Sequence, residues 1–330
     1  MQVKKTYISI LKGIDQSTRM LPMLWADSGY PGPVLWLTAA IHGDEVTGTA
    51  VIQSVFKRLE QHPLKKGKIY AFPILNPSGF ETISRREAYS ESDLNRSFDS
   101  SAFYKDSIAD KLAILIISTI MKTKPNYAID LHTDSAHSIP YIIVDLPGSI
   151  KNNKIIARSI SLAKKLGFFW AIETEESSGY PLEKSLSGQL LCRDIPAVTI
   201  ELGGPLLIIN KFRKMGLEAV WSFLYKQKMV DFSSSEKNIV QTFDSKHKVY
   251  GFYYRARTNS TGIIEYRIKP GQFIKKDMVI GKIRNVFGEI IEVMRSPVNG
   301  ILLSHEDQSV TFPGQSLFTI AVESSMKFSQ

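Results

Sequence analysis

The fold of this chain is decided by one stretch of twelve residues, Val34-Leu35-Trp36-Leu37-Thr38-Ala39-Ala40-Ile41-His42-Gly43-Asp44-Glu45. Its first seven residues are apolar except for Thr38, which is typical of a strand buried within a sheet. Residues 48–59 follow with apolar side chains at helical spacing, so the sequence predicts a strand, a tight turn and a helix. His42 and Glu45 are three residues apart across the turn, so both side chains can face one point.

The same alternation of apolar runs and helical patterns continues to about residue 229. We predict strands over residues 34–40, 68–74, 127–131, 141–144 and 197–201, and helices over residues 48–59, 107–123, 153–166 and 214–229. Strands that alternate with helices indicate an α/β sheet. This part of the chain is therefore predicted to form an α/β domain.

A change of pattern predicts a second domain at the C-terminal end. Residues 233–237 are polar and have no hydrophobic periodicity, so we predict a linker there, with a catalytic domain over residues 1–235. Residues 236–330 contain short strand patterns between Pro-Gly and Asn-Gly turns, which indicates a smaller all-β domain. The triplets Pro270-Gly271-Gln272 and Pro313-Gly314-Gln315 indicate a weak internal duplication within it.

Composition places the chain among ordinary globular proteins. It has 330 residues, of which 43% are hydrophobic and 22% are charged. The one cysteine, Cys192, excludes an internal disulfide and favours a reducing compartment. No apolar run reaches the roughly 18 residues of a membrane-spanning helix or resembles a secretory leader, so we expect a cytoplasmic protein without a membrane partner.

The formal net charge of +9 could indicate that the protein binds a negatively charged partner. Lysine and arginine are spread along the whole chain, without an arginine-rich tract or a basic helix with interleaved aromatic residues, which argues against nucleic acid. A basic field favours a small anionic substrate, although the charge is equally compatible with a role in solubility alone. The sequence is also compatible with a homo-oligomer.

Three predicted strands each end in an ionisable side chain. His42 and Glu45 follow the first strand, His132 ends another and Glu201 ends a third. Ligands of open α/β sheets gather at the carboxyl ends of strands. Two imidazoles and one carboxylate leave a position for water, as in a catalytic zinc site. Glu201 would then be a general acid/base that accepts the proton of that water.

Other residues near these strand ends have weaker or alternative roles. Asp130 is two residues before His132 and on the same face of its strand, so we predict that it orients a ligand imidazole. His137 is the only competing ligand in sequence. The remaining histidines, His62, His247 and His305, are predicted to be surface residues.

With these residues in place, the chain resembles the succinylglutamate desuccinylase/aspartoacylase family, a branch of the zinc carboxypeptidase-like hydrolases. The matching segments occur in family order and are His42-Gly43-Asp44-Glu45, Asn76-Pro77-Ser78-Gly79-Phe80, Asp93-Leu94-Asn95-Arg96-Ser97-Phe98, Asp130-Leu131-His132-Thr133 and Glu201-Leu202-Gly203-Gly204. The resemblance implies a mixed central sheet flanked by helices. It also implies one zinc ion per chain, bound by His42, Glu45 and His132, with Glu201 as the catalytic carboxylate.

The resemblance also implies a substrate clamp of Asn95 and Arg96. Arginines suit a substrate carboxylate because the guanidinium binds it through two hydrogen bonds, and Arg96 would also stabilise the tetrahedral oxyanion. The alternative is that Asp93 and Arg96 merely pair in a loop. An upstream arginine of the family corresponds to Arg86, with Arg85 as the adjacent alternative. Arg193 is either a further anion-binding residue or part of a turn.

The C-terminal domain is similar to a biotinyl/lipoyl-type barrel. Its central turn, residues 284–289, contains no lysine that could be modified. We therefore expect a structural lid or an oligomerisation element that narrows the mouth of the site, where Tyr253 and Tyr254 could reach the substrate.

The leading hypothesis is a deacylase that hydrolyses an N-acyl amino acid or a similar small amide. The alternatives are a zinc carboxypeptidase or peptide amidase with a more open cleft, and a non-catalytic binding protein with the same fold. The complete set of His42, Glu45, His132, Glu201 and Arg96 argues against the last of these.

Overall fold

The computed structural model describes residues 3–98, 107–151, 153–231, 248–254 and 256–326. The strands are β1 Lys4–Lys12, β2 Thr18–Asp27, β3 Val34–Ala39, β4 Lys68–Phe72, β5 Tyr127–His132, β6 Tyr141–Leu146, β7 Phe169–Thr174, β8 Ala197–Glu201, β9 Val249–Tyr253, β10 Gly262–Tyr266, β11 Phe273–Ile274, β12 Val279–Arg284, β13 Ile290–Arg295, β14 Gly300–His305, β15 Val310–Thr311 and β16 Phe318–Ser324. The helices are α1 Thr47–Gln61, α2 Pro77–Glu81, α3 Ile108–Lys122, α4 Lys154–Leu166, α5 Glu175–Ser178, α6 Leu186–Leu191 and α7 Asn210–Lys226. Two 3-10 turns occupy Leu94–Arg96 and Leu182–Lys184.

A mixed sheet forms the centre of the molecule, as predicted. In the order β4-β3-β5-β8 the strands are parallel, whereas β6 is antiparallel to β8 and parallel to β7. Residues 35–40 are fully or almost fully buried, which explains their continuous apolar run. Because β3, β5 and β8 are parallel, their carboxyl ends lie at one edge of the sheet.

Helices α1, α4 and α7 pack together over this sheet, and their buried residues belong to one large core. The core includes Trp36, whose ring lies 5.3 Å from that of Tyr70 and 4.8 Å from that of Phe72. Its Nε1 donates a hydrogen bond to Thr123 Oγ1 at 2.7 Å. A buried tryptophan needs such a polar partner. Among the described residues, no helix is both long and apolar enough to cross a membrane.

All predicted strands and helices of the first part are present, with ends that differ by up to four residues. The prediction missed the antiparallel ribbon β1–β2 and strand β7. The ribbon lies at the edge of the sheet and exposes many of its side chains, so it lacks the apolar run of a central strand. Strand β7 begins only two residues after Gly167, which ends α4 in a left-handed conformation.

The C-terminal part is all-β and barrel-like, as predicted. Strands β9, β16, β14 and β11 continue the large sheet, and β13, β12, β10 and β15 form a second antiparallel sheet. Their shared core contains, among others, Ile264, Ile274, Ile283, Leu302 and Ile320. The predicted linker over residues 233–237 lies outside the described residues, so the boundary at residue 235 stays a prediction.

The two Pro-Gly-Gln triplets form equivalent turns. Gly271 and Gly314 have φ angles of 90° and 85°, which a residue with a Cβ rarely adopts. The side-chain oxygens of Gln272 and Gln315 each accept a hydrogen bond from the backbone N–H three residues earlier, at 3.0 and 3.3 Å. This repetition agrees with the internal duplication indicated by the sequence.

Candidate active site

The loop after β3 brings His42 and Glu45 together through an unusual backbone. Ala40 has a φ angle of 51°, a conformation that costs energy in a residue with a side chain and is common at functional sites. Gly43 is required because a Cβ there would lie 2.0 Å from the carbonyl carbon of Gly79. Gly79 belongs to the turn capped by Asn76, whose Oδ1 accepts from the Gly79 N–H at 2.9 Å. The segment Asn76-Pro77-Ser78-Gly79 therefore packs closely against the loop that carries His42.

His42, Glu45 and His132 form a buried cluster. Nδ1 of His42 lies 2.6 Å from Glu45 Oε1, and Nδ1 of His132 lies 3.1 Å from Glu45 Oε2. One donor atom from each residue lies within 4.8 Å of the others, and each residue is 3–4% exposed. These three side chains are the group of potential metal ligands found among the described residues.

A carboxylate lies close to each imidazole of this cluster. Asp130 Oδ2 lies 2.9 Å from His132 Nε2, and its Oδ1 accepts from the Thr38 hydroxyl at 2.7 Å. An imidazole that donates from Nε2 leaves Nδ1 as a lone-pair donor toward the cluster. Asp93 Oδ1 lies 3.3 Å from His42 Nε2, an electrostatic contact without hydrogen-bond geometry. Asp130 therefore has the orienting position that we predicted for it.

Asp93 is held in its ionised form by its neighbours. Burial alone would raise the pKa of Asp93, but His42, Arg85 and Arg96 outweigh this effect and hold the pKa well below its ordinary value. Asp93 Oδ1 also accepts from the backbone N–H of Asn95 at 2.9 Å. No ion pair joins Asp93 to Arg96 in the described part of the chain, so the simple loop pair considered from the sequence is not found.

Glu201 lies next to His132 in the parallel register of β5 and β8. It is 9% exposed, and burial raises its pKa well above the ordinary value. Its Oε2 is a buried oxygen without a hydrogen-bond partner among the described residues. A buried polar atom without a partner is costly unless a ligand or solvent completes it. The unpaired oxygen therefore suits a group that acts on a bound molecule.

A cavity of about 340 Å³ opens beside the cluster and Glu201. Asn95, Arg96 and Arg85 line one part of it. The Arg96 guanidinium lies 3.5 Å from the centre of the Tyr180 ring, and its Nη1 donates to the Asn95 carbonyl at 2.9 Å. Asn95 Oδ1 accepts from the Leu186 N–H at 2.9 Å, which fixes its side chain. The predicted clamp residues therefore lie in the same cavity as the potential metal ligands.

The structure places Arg85, the alternative considered from the sequence, at the cavity and Arg86 outside it. Arg85 Nη1 lies 3.6 Å from Glu45 Oε1 and its Nη2 lies 3.5 Å from Asp93 Oδ2. Arg86 does not line the cavity, because its Nη1 donates to the carbonyl of Glu91 at 2.7 Å. Adjacent residues in an irregular loop point in different directions, so sequence position alone did not separate them.

Three other candidates lie away from the cavity. His137 is outside the metal-ligand cluster and pairs instead with Asp307 at 3.0 Å. The Arg193 guanidinium binds the Gln189 side chain and carbonyl, which favours the turn interpretation. His305 is 8% exposed and stacked on Tyr266, so the prediction that it is a surface residue was wrong. His247 lies outside the described residues.

The loop over residues 133–140 follows His132 and is hydrogen-bonded to the C-terminal part of the chain. Ser135 Oγ donates to the His305 carbonyl at 2.6 Å, and Asp307 Oδ2 accepts from the Ala136 N–H at 3.0 Å. The Ile139 N–H donates to the Leu303 carbonyl at 3.0 Å. Tyr254 and Thr319, both from the C-terminal part, line the cavity directly. Tyr253 does not line it.

Sequence reasoning missed the acidic part of the cavity. Asp134, Asp145 and Glu173 all line it; Asp145 and Glu173 are buried, and Asp134 is half-buried. Asp145 lies just beyond the predicted end of β6, and Glu173 lies on the missed strand β7. The signal that could have revealed them is a carboxylate within an otherwise apolar strand, which is rare unless the residue has a function.

Comparisons with known proteins agree with this geometry. A model of the succinylglutamate desuccinylase/aspartoacylase catalytic domain matches residues 31–220, more than half of the chain. A succinylglutamate desuccinylase from Silicibacter sp. TM1040 shares 16% identity over 98% of this chain and 95% of that one, with a TM-score of 0.79. The product-bound ectoine utilization protein EutE (DoeB) from Ruegeria pomeroyi shares 17% identity over 97% and 95%, with a TM-score of 0.78.

A metallo-carboxypeptidase from Burkholderia cenocepacia is a more distant match. It shares 14% identity over 68% of this chain and 64% of that one, with a TM-score of 0.52. At these identities, the solved structures establish similarity of fold. No curated protein sequence matches the chain.

Proposed function

The chain belongs to the succinylglutamate desuccinylase/aspartoacylase family, and on this premise we propose that it is a zinc-dependent amidohydrolase acting on small linear amides. The match to the family model confirms the resemblance that was inferred from the sequence motifs. Its named members are hydrolases, and the fold is related to that of the metallo-carboxypeptidases. Within this class, the reaction that we propose is removal of the acyl group from an N-acyl amino acid or a similar small amide.

The convergence of His42, Glu45 and His132 carries the proposal. Two imidazole nitrogens and one carboxylate in a buried cluster suit zinc, and the unpaired Glu201 oxygen beside them suits a catalytic rather than a structural site. The ion, one per chain, would polarise the scissile carbonyl and lower the pKa of its water from ~15.7 toward ~7. Asp130 and Asp93 would hold the two ligand imidazoles in place.

Glu201 is the proposed general acid/base. Its carboxylate would accept the proton of the attacking water and then return that proton to the leaving amine nitrogen. Burial raises the pKa of Glu201, which makes its carboxylate a stronger acceptor for the proton of the attacking water. The same residue can therefore serve both steps without a second acid.

Arg85 and Arg96 are the proposed binding groups for an anionic part of the substrate. Their guanidinium groups line the cavity next to the metal-ligand cluster and provide donors for a carboxylate. Arg96 would also stabilise the negative charge that develops on the amide oxygen during attack. Stacking on Tyr180 restricts its side chain before the substrate arrives.

The shape of the cavity favours a small amide over a long peptide. Its volume of about 340 Å³ lies near the lower end of the range of small-molecule sites. Tyr254 and Thr319 from the C-terminal part of the chain line it, which supports a role of this part in narrowing the mouth. The complete set of cavity residues also argues against a binding protein without activity.

Replacement of Glu201 by glutamine tests the proposal. We expect purified wild-type protein and the Glu201→Gln variant each to bind about one zinc ion, because Glu201 is not among the three ligands. Hydrolysis of N-acetyl and N-succinyl amino acids should fall by about two to four orders of magnitude in the variant. Glu60→Gln, on the exposed face of α1, is the control for loss of one negative charge. Full activity of Glu201→Gln, or wild-type protein unable to bind zinc, would refute the mechanism.

A further inference from the structure

Two buried acids form a second feature of the cavity. Asp145 of β6 and Glu173 of β7 are direct partners in the parallel register. Partners in a parallel pair lie on the same face of the sheet, roughly 5 Å apart. Both line the cavity, and they are 3% and 6% exposed. Two carboxylates are therefore presented side by side to any molecule that fills the cavity.

Hydrogen bonds engage one oxygen of each acid. Asp145 Oδ2 accepts from the hydroxyls of Ser185 and Ser187, at 3.0 and 2.6 Å. Glu173 Oε1 accepts from the Tyr254 hydroxyl at 3.0 Å. Among the described residues, no hydrogen bond reaches Asp145 Oδ1 or Glu173 Oε2. One oxygen of each carboxylate is therefore left for a ligand.

Among the residues that the structure describes, no lysine or arginine forms an ion pair with either acid. The positive charge of Arg96 acts on both acids and lowers the pKa of each, although burial is the larger influence on both. Its guanidinium stacks on Tyr180, and no ion pair within 4.0 Å joins it to either acid among the described residues. Buried carboxylates without a paired cation are unfavourable, and they occur mainly at functional sites.

We propose that Asp145 and Glu173 bind a protonated amine of the substrate, so that the preferred substrates are amides that carry a second, positively charged amino group. This inference rests on the proposed function, because it names the substrate class of the same cavity. An ammonium group has three donors and can bind both free oxygens at once. The tyrosine hydroxyl and the two serines would keep the carboxylates aimed at it.

The position of the pair indicates where the amine lies in the substrate. Tyr141, at the start of β6, is the register partner of Glu201. Asp145 is four residues further along the same strand, which corresponds to ~13 Å at about 3.3 Å for each residue. Because this distance separates backbone positions and not functional groups, it gives only a direction: we expect the amine away from the scissile amide, at the end of a side chain such as that of N-acyl ornithine or lysine.

A matched set of amides tests this substrate class. The zinc-loaded protein would be assayed with Nα-acetyl and Nα-succinyl derivatives of lysine, ornithine, norleucine and glutamate. Norleucine has the side chain of lysine without the ammonium group. We expect kcat/KM to be about 10- to 100-fold higher for lysine or ornithine than for norleucine, the effect of one or two charge-assisted hydrogen bonds.

Variants connect that preference to the acid pair. Asp145→Asn and Glu173→Gln should each remove most of the preference, by raising KM for the cationic amides much more than KM for the norleucine amides. Glu60→Gln controls for the change in net charge. Binding of free lysine and norleucine, measured by calorimetry, gives a second readout that needs no turnover.

The outcomes separate the two proposals. Turnover with equal or better activity on glutamate or norleucine amides would overturn the ammonium site and leave the hydrolase intact. Calorimetric binding of lysine that depends on both acids, without turnover of any amide, would support the site and refute the proposed reaction. If the protein neither hydrolyses any of the amides nor binds lysine, both proposals are overturned.

Discussion

Replacement of Glu173 by glutamine should stabilise the protein most strongly at alkaline pH. Burial, followed by the charge of Asp145, raises the pKa of Glu173 from 4.5 to about 8. Between these pH values the folded chain without substrate keeps a proton on Glu173 that the unfolded chain has released; a bound ammonium group would displace that proton. Unfolding in this window therefore liberates a proton, so the free energy of unfolding of the wild type falls as pH rises.

The size of the effect follows from that interval. The difference between 4.5 and about 8, at about 1.4 kcal/mol for each pH unit, amounts to about 5 kcal/mol once Glu173 is fully ionised. About 2 kcal/mol of this loss develops between pH 6 and pH 8.5. Glutamine removes the ionisation and keeps an oxygen that can accept the hydrogen bond from Tyr254, which is 3.0 Å long in the wild type.

Urea unfolding at the two pH values measures the prediction. Wild type, Glu173→Gln and the surface control Glu60→Gln would be compared at equal zinc concentration, so that metal binding affects all three alike. The free energy of unfolding of Glu173→Gln should exceed that of wild type by about 2 kcal/mol more at pH 8.5 than at pH 6. An advantage that is constant with pH, or larger at pH 6, would show that Glu173 does not have a raised pKa.

Two further predictions concern the metal ligands and the arginines. Asp130→Asn should weaken zinc affinity about 10- to 100-fold, because the His132 imidazole loses the carboxylate that orients it; competition with a chromophoric chelator measures this, and unchanged affinity would exclude the orienting role. Arg85→Ala should lower kcat/KM for N-acyl amino acids about 10- to 100-fold, whereas Arg86→Ala, matched in residue type and adjacent in sequence, should stay within about twofold of wild type. A larger loss of kcat/KM in Arg86→Ala than in Arg85→Ala would show that Arg86, and not Arg85, binds the substrate.

The convergence of the potential metal ligands and Glu201 was predictable because these residues end, or closely follow, strands with a strong apolar pattern. His42, His132 and Glu201 mark three such ends, and parallel strands bring their carboxyl ends to one edge. The orienting position of Asp130 was predictable because alternate side chains of a strand point to the same face, so Asp130 and His132 lie together. These inferences need only local patterns and one general rule of sheet topology.

The acid pair was not predictable by the same reasoning. Asp145 and Glu173 meet only because β6 and β7 are neighbours in a particular register, and a short strand directly after a helix gave no clear pattern for β7. The choice between Arg85 and Arg86 depends on the path of an irregular loop in which Ile83 and Glu91 have positive φ angles. Tertiary contacts, rather than propensity, determine both features.

The bonds between the loop after His132 and the C-terminal strands bear on how this architecture can diversify. Ser135, Ala136 and Ile139 are hydrogen-bonded to residues more than 160 positions later in the chain. An exchange of the C-terminal strands between homologues would therefore alter the wall of the cavity as well as its entrance. Recombination at residue 235 should give working chimaeras only when residues 133–140 are inherited together with the new C-terminal strands.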